Sequence, residues 1–130
     1  MSTEGDPPVA QGDNLLRGLA AGILAVIRDP DVRDPTFRQI GILLRLCTTS
    51  QPHTVRGLAA YLRVSKPAIV RALDALSDAG LVRRKPDPAD GRSVLVEPTR
   101  NGRALVRRIA ASAAAAVAEP LAGGKDRAPG

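Results

Sequence analysis

The sequence predicts a mostly α-helical domain that carries one small β-hairpin. Between residues 13 and 118, apolar residues recur every three or four positions in five segments, which is the spacing of one helix face. Two short runs of β-favouring residues, 81–85 and 93–97, flank a turn-rich stretch at 86–92. These observations predict five helices, with the hairpin between the fourth and the fifth.

The two ends of the chain are predicted to be disordered. Residues 1–12 and 120–130 are rich in proline, glycine and charge, a composition that buries too little apolar surface to become ordered. The remaining stretch, 13–119, is long enough for one domain. The polar start lacks the apolar stretch of a secretory leader, and no run is long enough to cross a membrane. We therefore expect a cytoplasmic protein.

The first two helices are predicted at 13–28 and 36–48, on either side of a loop with two prolines. The second is expected to turn one apolar face to the core, formed by Phe37, Ile40, Leu44 and Cys47, with Leu43 beside them. Cys47 is then a small core residue. A redox-sensing thiol is the alternative, and it would need exposure and a depressed pKa. His53 is expected to lie exposed in a loop.

The third and fourth helices are predicted to form a helix-turn-helix. Thr54 is suited to cap a short helix that runs to residue 62, and a tight turn follows at 63–65. Ser65 is suited to cap the next helix, whose first turn contains Pro67, where a missing N–H costs nothing. Two short helices joined by such a turn are typical of this motif.

A wing and a last helix follow. Gly80 is placed to end the fourth helix in a left-handed conformation, with Leu81 against Leu76. The hairpin comes directly after it, and a fifth helix is predicted at 99–118. The complete prediction is a winged helix-turn-helix flanked by N- and C-terminal helices.

Positive charge is concentrated in one part of the chain. The net charge is +6, with 19 Lys or Arg against 13 Asp or Glu, and the excess lies within 54–108. A localised basic surface favours a polyanionic partner. The chain has only two aromatic residues that could stack on bases, Phe37 and Tyr61, which favours double-stranded over single-stranded nucleic acid.

The residue types needed for catalysis or metal binding are poorly supplied. The chain has one cysteine and one histidine, so a thiolate cluster or a His-rich metal site is not expected. No paired carboxylates, nucleophile with its base, or phosphate-binding loop is recognisable. The sequence thus predicts neither an enzyme nor a cofactor.

The stretch from Thr54 to Arg84 resembles the MarR family of bacterial regulators. The matching motifs are Gly80-Leu81-Val82-x-Arg84, the wing signature Asp90-Gly91-Arg92, and the helix opening Thr99-Arg100-Asn101-Gly102. The resemblance implies a sequence-specific transcriptional regulator, expected to be a repressor, with its DNA-binding core at 54–97. It also implies that the helix at 65–79 enters the major groove and the wing at 86–92 the minor groove.

Two departures from the family pattern affect these expectations. Pro98 stands where the family usually has leucine, so the second wing strand is expected to end at Glu97, because proline cannot donate to the ladder. The terminal helices are also shorter than is usual for the family, which leaves the dimer geometry open.

Two sets of residues are expected to contact DNA. The base or groove set is Ser65, Lys66, Pro67, Val70, Arg71 and Arg92, and the phosphate set is Thr54, Arg56, Arg63, Arg83, Arg84 and Lys85. Arg71 can bond a guanine edge with two hydrogen bonds; pairing with Asp74 is its alternative. Arg92 matches the family's minor-groove arginine. Asp90 is expected to hold the wing turn by pairing with an arginine.

The flanking helices carry apolar residues that favour a homodimer. The predicted dimerisation residues are Leu15, Leu19, Ile23, Leu105 and Ile109. A two-fold dimer would match a palindromic site, and a small-molecule effector remains open as a further partner. The alternative function is a winged-helix module for protein contact, antitoxin-like or polymerase-associated, with DNA binding secondary.

Overall fold

A computed structural model describes residues 12–119, and the predicted fold class is confirmed there. The elements are α1 (Asp13–Ile27), α2 (Phe37–Thr48), β1 (His53–Thr54), α3 (Val55–Leu62), α4 (Lys66–Asp78), β2 (Val82–Asp87), β3 (Asp90–Pro98) and α5 (Arg100–Ala118). The ends predicted to be disordered, 1–12 and 120–130, lie outside the described residues except for Gly12. The chain divides into two compact units, and the winged unit comprises residues 29–107.

The helical unit contains α1 and the end of α5 from residue 108 onward. Two glycines of α1 let the helices approach closely. A Cβ added at Gly18 would lie 3.1 Å from Val117 Cγ2, and one added at Gly22 would lie 2.9 Å from Ile109 Cγ2. Both distances are shorter than ordinary van der Waals contact. The pairing therefore depends on these small residues.

The caps of the helix-turn-helix are those that the sequence predicts. Thr54 Oγ1 accepts a hydrogen bond from the Gly57 N–H at 2.9 Å, and Ser65 Oγ accepts one from the Ala68 N–H at 3.2 Å. These side chains satisfy backbone donors that the first helical turn leaves unpaired. Each helix thus begins where a local signal places it.

The C-terminus of α4 also matches the prediction. Gly80 has φ +76°, and the Leu81 N–H donates to the Leu76 carbonyl at 2.9 Å. This is the Schellman arrangement, which glycine adopts without a Cβ clash. It turns the chain directly from α4 into β2.

The core of the winged unit lies among α2, α3, α4, the sheet and the start of α5. Its most deeply buried side chains are Ile42, Leu43, Leu58, Ile69, Leu73, Leu76 and Leu105. The predicted face of α2 is wrong: Phe37 is 86% exposed, and Ile40, Leu44 and Cys47 are only half-buried. Because α2 is apolar on more than one side, its contacts with α4 and β3 decide which residues face inward.

The sheet has three antiparallel strands in the order β1-β3-β2. The strand β1 was not predicted; it has two residues and pairs with Leu95 and Val96 of β3. The predicted end of the second wing strand at Glu97 is also wrong, since Pro98 pairs with Val82. The pairing continues past the proline because the Thr99 N–H donates to the Leu81 carbonyl at 3.0 Å. The wing is mostly strand, and only Pro88 and Ala89 form the turn.

Thr99 joins the start of α5 to the end of α4. Its hydroxyl donates to the Gly80 carbonyl at 2.6 Å and accepts from the Gly102 N–H at 3.0 Å. The backbone of Gly102 lies so close to Leu81 that a Cβ there would overlap the Leu81 carbonyl oxygen. The Thr-x-x-Gly motif is thus a packing joint between two backbone segments.

Candidate nucleic-acid interface

The outward face of α4 carries the residues that the sequence analysis assigned to base contact. Because Ala68, Ile69, Ala72, Leu73 and Leu76 are buried, the opposite side of the helix faces solvent. Ser65, Lys66, Pro67 and Arg71 are exposed there, and Val70 is half-buried. In the part of the chain that the structure describes, Arg71 forms no ion pair, since the carboxylate of Asp74 pairs with Arg84 instead.

Two aspartates brace the tip of the wing. Asp87 Oδ1 accepts a hydrogen bond from the Ala89 N–H at 2.9 Å, and Asp90 Oδ1 accepts one from the Arg92 N–H at 3.0 Å. Asp90 was expected to hold the wing turn by pairing with an arginine; it accepts from the backbone N–H of Arg92 in a local Asx turn, and not from a guanidinium group. The Arg92 guanidinium is left exposed at the tip.

At the base of the wing, three of the predicted phosphate-binding residues form ion pairs with carboxylates. Glu97 lies 2.9 Å from Arg83 Nε and 3.0 Å from Lys85 Nζ. Hydrogen bonds from Lys85 and Arg83 lower the pKa of Glu97. Asp74 Oδ1 lies 2.9 Å from Arg84 Nη2. These three cations are partly neutralised within the protein.

The other three predicted phosphate residues lie on or beside α3. The Thr54 hydroxyl already accepts the capping hydrogen bond of α3, while the side chains of Arg56 and Arg63 are exposed. Arg63 ends α3 with φ +61°, a left-handed conformation that the sequence analysis did not predict. The N–H groups of Arg63 and Val64 donate back to the α3 carbonyls of Ala60 and Ala59, which closes the turn into α4.

A half-open cavity of about 220 Å³ lies at the end of α2, beside the sheet. Cys47, His53, Glu97 and Arg103 are among its lining residues. Cys47 was predicted to be a core residue, but it is half-buried at the cavity wall. Burial raises the pKa of its thiol, and the Arg103 and Arg107 guanidinium groups oppose that rise. A raised pKa disfavours the thiolate that redox sensing requires.

His53 is a half-buried strand residue, so the prediction of an exposed loop residue is wrong. The Thr49 hydroxyl donates to the Arg45 carbonyl at 2.8 Å and lies 2.7 Å from His53 Nε2. Since that hydroxyl has one proton, Nε2 must be the donor to Thr49. Burial lowers the pKa of His53, and the nearby Arg45 charge adds to this effect.

Mild acid is expected to destabilise the fold through His53. Its pKa in the folded chain lies below the ordinary 6.5, so the unfolded chain takes up a proton first as the pH falls. The free energy of unfolding should therefore decrease as the pH drops through 6.5, by less than about 1.4 kcal/mol per pH unit. Urea unfolding at pH 7.5, 6.5 and 5.5 measures this change in the free energy of unfolding. His53→Gln should flatten this dependence, and an unchanged slope in the variant would contradict the assignment.

The predicted dimerisation residues fall into three environments. Leu15, Leu19 and Ile23 are exposed on α1 at 74%, 59% and 43%. Leu16, Leu24 and Ile27, which were not among the predicted dimerisation residues, are also exposed and apolar. Ile109 packs on Gly22 of its own chain. Leu105 is 1% exposed in the winged unit, so its side chain cannot contact a partner subunit.

Residues 12–119 contain no group of three or more His, Cys, Asp or Glu side chains arranged to hold a metal ion. None of the helices in that range is both long and apolar enough to span a membrane.

Known proteins with similar sequences and folds are transcriptional regulators. The profile described as MarR family matches residues 33–93. An uncharacterized HTH-type transcriptional regulator of Mycobacterium leprae is 32% identical over 97 residues, which cover 72% of this chain and 67% of that protein. A transcriptional regulator from Thermotoga maritima has a similar fold, with TM-score 0.70, 24% identity, and coverage of 82% of this chain and 71% of that one.

A second similar structure contains a ligand. CouR from Rhodococcus jostii RHA1, solved bound to p-coumaroyl-CoA, is 28% identical with TM-score 0.59, and the alignment covers 89% of this chain and 78% of that one.

Proposed function

The chain belongs to the MarR family of DNA-binding transcriptional regulators, and from this premise we propose that it represses transcription as a homodimer, with α4 in the major groove and the wing in the minor groove. The observation that carries the docking mode is the outward face of α4. It presents Lys66 and Arg71 without a carboxylate partner among the described residues, next to the N-terminal end of the helix.

We assign base recognition in the major groove to the first half of α4. A helix fits that groove, and the first turns of a recognition helix reach the base edges. The exposed guanidinium of Arg71 is suited to the O6 and N7 atoms of guanine, and the half-buried Val70 to a thymine methyl group. Lys66 and the positive end of the helix dipole favour an adjacent phosphate.

We assign the minor groove to Arg92. The two Asx turns restrain the backbone of the wing tip, which reduces the entropy lost when the side chain inserts. A narrow, A·T-rich minor groove has an enhanced negative potential that attracts arginine. Arg56 and Arg63 are the most available phosphate contacts, since Arg83, Arg84 and Lys85 are already paired with carboxylates.

Arg71→Ala and Arg92→Ala should each weaken binding to a duplex that the wild-type protein selects from a randomised library. Each is expected to lose about 1–3 kcal/mol of binding free energy, the range for one specific arginine contact. Arg71→Ala should also relax the preference at one base pair. A gel shift measures the affinities, and circular dichroism checks that the fold is unchanged.

The matched control for these variants is Arg38→Ala, an exposed arginine on α2 that the docking mode leaves off the DNA. It should bind within about twofold of wild type, because surface substitutions away from contacts usually change little. If both test variants bound like wild type, the docking mode would be wrong. If no duplex were enriched at all, the protein-interaction module would become the better function.

We propose that the exposed apolar face of α1 forms the dimer interface. Six large apolar side chains of that helix are exposed: Leu15, Leu16, Leu19, Ile23, Leu24 and Ile27. A patch of this kind marks an interaction surface in a protein that stays in solution. A second copy is the partner that two-fold symmetry and a palindromic site both favour.

The cavity beside Cys47 is the place that we propose for a small-molecule effector. Its volume of about 220 Å³ suits a small ligand or part of a larger one. Arg103 lines it, and the Cys47 thiol within it is influenced by the positive charges of Arg103 and Arg107. An acidic group would therefore be favoured there. That CouR binds p-coumaroyl-CoA supports ligand binding as a property to test in this chain.

A further inference from the structure

An ion pair joins the wing hairpin to α4. Arg84 Nη2 on β2 lies 2.9 Å from Asp74 Oδ1 on α4. We propose that this pair is a positioning device, which holds the wing at the angle to α4 that lets Arg92 enter the minor groove while Arg71 occupies the major groove. The inference rests on the docking mode proposed above, and it assigns Asp74 and Arg84 a role in geometry and not in DNA contact.

The two partners lie where such a device would act. Asp74 follows Arg71 by one turn on the outward side of α4, and its side chain is 57% exposed. Arg84 is 29% exposed and pairs across the sheet with Val96, which is 3% exposed. The backbone at position 84 is therefore anchored in the core. The pair ties the hairpin to α4 at the point where the hairpin leaves the core.

The ion pairs of Glu97 have a different effect. They link Arg83 and Lys85 on β2 to β3, so both partners of each pair belong to the hairpin. Such links stiffen the hairpin without influencing its angle to the helix. The Asp74–Arg84 pair instead links two different elements, α4 and β2, so it can influence the angle between them.

A small tilt at this point is magnified at the tip. Arg92 lies four strand positions beyond Val96, the partner of Arg84, which is about 13 Å at the rise of a β-strand. A tilt of about 10° would move the tip by about 2 Å, more than a hydrogen bond tolerates. A weak surface ion pair can thus matter for recognition even where it adds little to stability.

Charge and geometry predict opposite effects for Asp74→Asn. If only charge mattered, removing an anion from the DNA-facing side would strengthen binding to the polyanion. If the carboxylate positions the wing, the variant should bind more weakly, although the protein has become more positive. The sign of the change therefore separates the two explanations.

The test measures gel-shift affinities for a duplex selected from a randomised library by the wild-type protein. Asp74→Asn is expected to weaken binding about five- to tenfold, the size of coupling that neighbouring residues ordinarily show. In an Arg92→Ala background the same substitution should change affinity less than about twofold, because there is no longer a wing contact to misplace. The matched control is Asp78→Asn, which makes the same charge change at the last residue of α4 and should not weaken binding.

Footprinting adds a readout that a merely stabilising pair would not move. Protection of the minor groove from hydroxyl radicals should weaken in Asp74→Asn. Protection of guanine N7 in the major groove from methylation should persist. Asp74→Glu should restore both. Tighter binding by Asp74→Asn, or an equal loss with and without Arg92, would overturn the inference. Failure of the wild-type protein to select any duplex would instead overturn the proposed function.

Discussion

Replacing Gly102 with alanine is expected to destabilise the winged unit by about 3 kcal/mol, the upper end of the usual range for overpacking, because the atoms it would meet cannot move aside. The atom that an alanine methyl group would meet is the backbone carbonyl oxygen of Leu81. That carbonyl also accepts the Thr99 N–H, so neither segment can retreat without breaking the joint between α4 and α5. Urea unfolding followed by circular dichroism measures the change.

A second helical glycine provides the control. Gly41 in α2 has no heavy atom within 4 Å of the position that a Cβ would take. Gly41→Ala should therefore stabilise the protein by about 0.5–1 kcal/mol, as helix propensity dictates. Helix propensity alone predicts that both substitutions stabilise the protein. The packing predicts instead that Gly41→Ala stabilises it and Gly102→Ala destabilises it. Equal stability of Gly102→Ala and wild type would contradict the described joint.

Leu19→Arg is expected to convert the proposed dimer into a monomer and to weaken binding to the selected duplex about 100-fold or more, because two linked half-site contacts become independent. Leu19 is 59% exposed in the middle of the apolar face of α1, and a buried, unpaired guanidinium there would be costly. The added positive charge would by itself favour DNA, so a loss of affinity cannot come from charge. Sedimentation velocity measures the mass, and a gel shift measures the affinity.

Phe37→Arg is the matched variant for this experiment. Phe37 is 86% exposed at the start of α2, which belongs to the winged unit and not to α1. It should leave the dimer intact although it makes a comparable apolar-to-charged change. A Leu19→Arg protein that still sedimented as a dimer would show that a different surface mediates association.

Features that depend on neighbouring residues could be predicted from the sequence. Thr54, Ser65 and Gly80 act within one helical turn, so the ends of α3 and α4 follow from residue type alone. Helical periodicity likewise predicts which side of α4 faces outward, and thereby the exposure of Arg71. The family resemblance rests on these same local signals.

Features that depend on distant pairing could not be predicted. β1 exists because His53 pairs with Val96, and two residues carry no strand pattern of their own. The partners of Glu97 and Asp74 lie ten or more positions away, so the sequence shows cations at the wing base without showing that they are neutralised. The rotation of α2 is decided by what packs against it, since Ile40 and Ile42 are equally apolar.

The left-handed conformation of Arg63 implies a compromise between stability and recognition. A non-glycine residue with φ +61° costs about 1 kcal/mol or more in backbone strain. Glycine would make the same turn between α3 and α4 with less strain, but it would remove an exposed cation from the helix-turn-helix. In the docking mode proposed above, the turn thus gives up a small part of the folding free energy for long-range attraction to a polyanion. The benefit of that exchange should appear in the rate at which the protein finds DNA at low salt.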